Sequence, residues 1–91
     1  MSDDGYQLRF TKEAQKELRK MDKHQAKLIT RWLYVNVDGI DDPYRIGKGL
    51  TADKSGQWRY RIGNYRVICE IDDDQLIVLA INIGHRRSIY K

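Results

Sequence analysis

The residue pattern predicts an α+β domain: one strand, a helical hairpin, then a three-strand antiparallel meander, with the helices packed on one sheet face. Three observations lead there. Tyr6, Leu8 and Phe10 alternate with Gln7 and Arg9, the mark of a half-buried strand. Apolar residues then recur at helical spacing from Ala14 onward. From Trp58 to Ile83 strand-like runs return, broken at Gly63-Asn64 and at Asp72–Gln75. Residues 1–91 read as a single domain, with 1–5 as a flexible tail.

Each element has a local cause. Thr11 can cap a first helix on which Ala14, Leu18 and Met21 share a face. Its charged residues, Lys12, Glu13, Lys16, Glu17 and Lys20, read as a solvated outer face. Asp22 with Gln25 resembles a capping box and starts a second helix. The buried stripe of that helix is Leu28 or Ile29, Trp32 or Leu33, and Val35, and Gly39 is a credible stop. A hairpin of two such short helices needs a sheet to pack against. Gly39 to Gly56 is a long connection, pinned by Tyr44, Ile46 and Leu50, with Lys48 set between two glycines.

The stretch Trp58–Val67, W-R-Y-R-I-G-N-Y-R-V, carries the functional signal. Gly63-Asn64 suits a two-residue hairpin turn, because both residue types tolerate positive φ. Such a turn pairs Ile62 with Tyr65, Arg61 with Arg66, Tyr60 with Val67, and Trp58 with Cys69. Opposed residues point to one face, so Arg61 and Arg66 become neighbours and Arg59 joins them. Trp58, Tyr60, Val67 and Cys69 take the other face as core. Like charges across a ladder repel, so three guanidiniums there suggest a site built around an anion.

The last strand, L-I-V-L-A-I-N-I, is apolar on both faces. If its turn pairs Ile71 with Leu76, Asn82 and Ile83 lie near Tyr65 and Asn64. The tail Gly84–Tyr90 then emerges at the hairpin tip and brings His85, Arg86 and Tyr90 to the arginines.

Charge distribution agrees with an anionic partner. The net charge is +4 and the isoelectric point near 9.3. Residues 1–44 hold eight Lys/Arg and eight Asp/Glu, whereas 45–91 hold nine and five, so the later half supplies the whole excess. Apolar runs are too short for a transmembrane helix, and the acidic N-terminus is unlike a secretory signal. A single cysteine, Cys69, excludes an intrachain disulfide and reads as a buried hydrophobe, which fits a cytoplasmic protein. Asp72–Asp74 read as a polar turn rather than a cation site. His24 has no partners at metal-ligand spacing.

The hairpin W-R-Y-R-I-G-N-Y-R-V-I-C-E-I and the tail I-G-H-R-R-S-I-Y together resemble the RelE family of the RelE/ParE toxin–antitoxin superfamily, over roughly residues 6–90. The resemblance implies a RelE-like microbial ribonuclease-type fold and a type II toxin. It implies a ribosome-dependent, metal-free endoribonuclease that cuts mRNA by 2′-hydroxyl attack on the adjacent phosphate. The products would be a 2′,3′-cyclic phosphate and a 5′-hydroxyl, with translation inhibited. No cofactor is implied. Implied partners are ribosome, mRNA and a RelB-like antitoxin whose acidic segment covers the arginine cluster.

Position by position, Arg66 matches the family's hairpin arginine on the scissile phosphate, Arg86 the arginine beyond the last strand, and Tyr90 the tyrosine near the C-terminus. Arg59 and Arg61 fall where the best-known members carry lysines, one of them discussed as a general base. Arginine stays protonated, so these two can stabilise charge but cannot accept a proton. Proton transfer would fall to His85 or Tyr90. Lys48, Arg45, Arg87, Lys54 and Tyr44 are the expected RNA contacts, Tyr44 by stacking. Two other functions fit the same pattern: a ParE-like gyrase inhibitor with this fold, and a non-catalytic RNA- or ribosome-binding module.

Overall fold

A computed structural model of the protein describes residues 5–49 and 57–85. The expectations for the N-terminal tail, Leu50, Lys54, Arg86, Arg87 and Tyr90 lie outside the described residues. Strand β1 is Gln7–Phe10, followed by helices α1 (Lys12–Lys20) and α2 (Lys23–Asn36). Strands β2 (Lys48–Gly49), β3 (Gln57–Ile62), β4 (Tyr65–Asp72) and β5 (Ile77–His85) complete a sheet ordered β1-β5-β4-β3-β2. β1 lies parallel to β5; the other pairings are antiparallel.

Both helix starts follow from capping. The Thr11 hydroxyl accepts the Ala14 N–H at 3.1 Å, and the Asp22 carboxylate accepts those of His24 and Gln25 at 3.1 and 3.2 Å. On α2 the fully buried stripe is Ile29 and Leu33, continued one turn later by Val37. Val35, expected in that stripe, is 72% exposed, because steps of four from Ile29 pass it by. Gly39 takes φ +83 and turns the chain out of the helix. Residues 38–40 then cover the outer edge of β1. Tyr6 N–H donates to the Ile40 carbonyl, Gly39 N–H to that of Tyr6, and Leu8 N–H to the Asp38 carboxylate. An edge so occupied cannot recruit another strand.

Two features of the sheet depart from the sequence-based expectation. The connection after α2 is not loop throughout, since Lys48 pairs with Arg59 and Gly49 with Trp58. Gly47 makes this possible: it takes φ +81, and a Cβ there would sit 2.4 Å from the Arg59 carbonyl oxygen. The expected pins Tyr44 and Ile46 do hold the segment. The Trp58 indole N–H donates to the Ile46 carbonyl at 2.6 Å, and the Tyr44 hydroxyl to Asp73 at 3.0 Å.

The register of β5 is the second departure. Leu76 adopts φ +56 and belongs to the turn, so Asp72 pairs with Ile77 and Ile71 with Val78 rather than with Leu76. A bulge at Ile68/Cys69 adds one more residue to β5. Asn82 consequently lies opposite Ile68, Ile83 opposite Val67, and His85 opposite Tyr65. The Ile83 N–H donates to the Glu17 carboxylate of α1 at 2.6 Å. Glu17 is therefore not part of a solvated face, because a buried N–H near the bulge requires an acceptor.

Candidate functional site

The β3–β4 turn at Gly63-Asn64, with Gly63 at φ +59, sets the register that the sequence predicts. Ile62 pairs with Tyr65, Arg61 with Arg66, Tyr60 with Val67 and Trp58 with Cys69. Tyr60, Val67 and Cys69 are fully buried in the core. The opposite face collects Lys48, Arg59, Arg61 and Arg66, since Lys48 stands across from Arg59 and Arg61 across from Arg66. On its other side Arg66 faces Gly84.

Exposure is graded across this face. Arg61 and Lys48 are exposed, Arg59 is half-buried, and Arg66, on the central strand, is only 3% exposed. Glu70 lies on the same face of β4, four residues from Arg66, about 13 Å along the strand. It stands diagonal to Arg59, since Arg59 pairs with Ile68 two residues before it. Two guanidiniums side by side, one of them buried, suit a phosphate-like anion.

Other expected site residues are placed elsewhere. His85 extends β5 opposite Tyr65 and so shares the face of Ile62 and Tyr65, with ring centroids 5.4 Å apart and planes at 77° to Tyr65. The register does not bring it to the arginines. Tyr44 points its hydroxyl at both Asp73 oxygens and packs edge-on against Trp58 at 5.0 Å. The side chain nonetheless remains 38% exposed. Arg45 forms an exposed ion pair with Asp41 at 2.9 Å.

Hydroxyl and thiol groups in the body are held protonated. The hydrogen bond to Asp73, then burial, pushes Tyr6 up to about 12. Burial first and the same carboxylate second raise Tyr44. Burial raises Tyr60, whose hydroxyl donates to the Pro43 carbonyl at 2.8 Å, and pushes Cys69 up to about 12. Asp72 accepts the N–H groups of Asp74 and Gln75, which accounts for the polar turn. Among the described residues, no three His, Cys, Asp or Glu side chains are grouped as metal ligands, and no helix is long and apolar enough to cross a membrane.

One feature escaped the sequence. Where β2 begins, a cleft of about 310 Å³ opens at the sheet edge, lined by Trp32, Ile46, Gly47, Lys48, Arg59, Tyr60 and Arg61. The glycines flanking Lys48 were the available signal, because they permit close backbone approach.

A sequence model of the family described as "ParE toxin of type II toxin-antitoxin system, parDE" matches residues 8–90. The chain belongs to this toxin family. Toxin RelE of Mycobacterium tuberculosis is 32% identical over 92 residues, covering 100% of this chain and 93% of the relative. Toxin RelG of the same organism is 29% identical over 86 residues, covering 94% and 97%. The RelBE2 toxin–antitoxin complex of Mycobacterium tuberculosis contains a similar chain, with TM-score 0.80, 27% identity, and coverage of 93% and 95%. A mutant of E. coli toxin RelE in the free state shares the fold at TM-score 0.72 and 21% identity, with 92% and 86% covered. The α+β frame of this chain, with two helices and a five-strand sheet, thus matches those of the RelE toxin structures.

Proposed function

We propose that this toxin is a ribosome-dependent endoribonuclease that cleaves mRNA and thereby stops translation. The pairing of Arg61 with Arg66 on one sheet face, with Arg59 and Lys48 alongside, carries the reading. In this reaction the 2′-oxygen attacks the adjacent phosphorus, the bond to the 5′-oxygen breaks, and that oxygen gains a proton. A 2′,3′-cyclic phosphate and a 5′-hydroxyl result. Arg66 and Arg61 bind the non-bridging oxygens as charge builds on the phosphorane, and Arg59 supports them. Arg86 joins this set on sequence grounds.

Proton transfer is assigned to Tyr90 rather than His85, because the His85 ring lies on the face away from the arginines. Lys48 is the best-supported RNA contact of the connecting segment; Arg87 and Lys54 add charge nearby in sequence only. The ribosome supplies orientation of the message, which a small open face cannot impose by itself. The antitoxin is a RelB-like protein, as in the RelBE2 complex of the relative, with an acidic segment over the arginines. The site of action is the cytoplasm.

The test is mapping of transcript 5′ ends on programmed ribosomes with parent and Arg66→Ala. Cuts within the message, lost in the variant, are expected; an intact message under a translational block refutes nuclease action. The family description itself, a ParE toxin, favours a second reading as a DNA gyrase inhibitor. Inhibition of supercoiling with translation untouched would establish that reading instead.

A further inference from the structure

The cleft at the outer edge of β3 is more than the rim of the arginine face. Its wall is Trp32 of α2, a residue whose sequence context favours core over base stacking. The ring is half-buried, and Tyr60 backs it at 6.1 Å between centroids with planes tilted by 50°. Tyr60 is itself anchored on the Pro43 carbonyl, so the wall is stiff. Lys48, Arg59 and Arg61 line the same space, and none of the described lining residues is acidic. Trp58 cannot serve this role. Its indole N–H is engaged by Ile46, its ring meets Tyr44 edge-on, and its six-membered ring lies against Gly49.

A fixed aromatic wall beside several cations recognises a planar ring attached to a phosphate. The volume, about 310 Å³, falls at the small end of ligand pockets and suits a group the size of one nucleotide. An acidic peptide would use the cations but leave the aromatic wall without a purpose. We propose that this cleft is a nucleotide pocket: Trp32 carries one nucleobase of the RNA, and Lys48 and Arg61 hold the phosphate attached to it. The pocket rests on the nuclease reading and deepens it. It seats a nucleotide flanking the cut, since Arg61 lines the cleft and also stands opposite Arg66.

The chain has two tryptophans, so two indole N–H signals report the test by heteronuclear NMR. Labelled toxin is titrated with an uncleavable 2′-O-methyl RNA trinucleotide, with the same backbone made abasic, and with an acidic peptide. The Trp32 signal should move with the base-bearing RNA, and the abasic analogue should bind about tenfold more weakly. Trp32→Ala should bind both RNAs alike, at the weaker affinity, and Trp32→Phe should restore most of the difference. Equal affinity of the parent for intact and abasic RNA, or a Trp32 signal unmoved by RNA, overturns the pocket. So does a signal that only the peptide moves. The abasic comparison is made in the parent and stands even where Trp32→Ala fails to fold. Cleavage by Arg66→Ala on programmed ribosomes is read separately. Its loss alongside a negative Trp32 result removes the pocket and keeps the nuclease; parent-like cleavage removes the catalytic assignment whatever Trp32 does.

Discussion

The two ends of the sheet solve opposite electrostatic problems. At the β3–β4 turn, Arg61 and Arg66 stand directly across a ladder, an arrangement that costs stability. At the β4–β5 turn, Asp73 receives hydroxyl donors from Tyr6 at 2.7 Å and from Tyr44 at 3.0 Å. About seven residues of β4 separate the two, roughly 20 Å. The far end joins β1, the connecting segment and the turn through matched donors and acceptors. The near end gathers the cations of the proposed site, Lys48, Arg59, Arg61 and Arg66, on one face.

Perturbing the near end should give the largest effect. Arg66→Ala is expected to lower message cleavage by ~10²–10³, measured as single-turnover rates on programmed ribosomes. Arg66→Lys should recover only part, since a lysine cannot reproduce a forked guanidinium contact. Arg61→Ala, at the exposed member of the pair, should lose less than Arg66→Ala. An equal or greater loss at Arg61 would show that burial does not rank these groups.

Stability effects should come next, at the segment that carries β2. Gly47→Ala forces a side chain into φ +81 and into the Arg59 carbonyl. A loss of at least ~1–3 kcal/mol by denaturant titration is expected. A parent-like midpoint would mean the segment detaches from β3 without cost.

The far end should respond to base. The folded Tyr6 hydroxyl holds its proton more tightly than an unfolded one, with its value raised from 10.0 to about 12. Its contribution to stability is therefore fully present below pH 10 and is lost as pH rises from 10 toward 12. Asp73→Ala removes the largest cause of that shift and should flatten the decline, read by chemical melts across the same window. The smallest effect belongs to His85→Ala, with cleavage unchanged and stability altered by no more than about 0.5 kcal/mol. A substantial loss of cleavage would return His85 to the catalytic set.

How much of this was legible in the chain depended on how many residues each inference had to span. The Arg61–Arg66 pairing followed from a two-residue turn, where register is simple counting. The placement of His85 did not. The turn consumed Leu76 and the bulge added one residue, moving β5 by three positions against β4 relative to the simple count. An odd shift exchanges faces, which is why a histidine expected beside the arginines meets Tyr65 instead. Neither positive φ at a leucine nor a bulge between Ile68 and Cys69 leaves a mark in local pattern. On α2, helical period alone left Ile29 and Leu28 equivalent, and packing against the sheet selected Ile29. The cleft was hidden for a related reason: Trp32 and Lys48 meet only through tertiary structure.

The parallel pairing of β1 with β5 has a consequence for synthesis. Leu8 finds its neighbour Val78 only once β5 has been made, and Gly84 reaches Arg66 later still. Contacts so distant in sequence form slowly and last. The β3–β4 hairpin that sets Arg61 across from Arg66 is local by comparison and can form before β1 finds its place in the sheet.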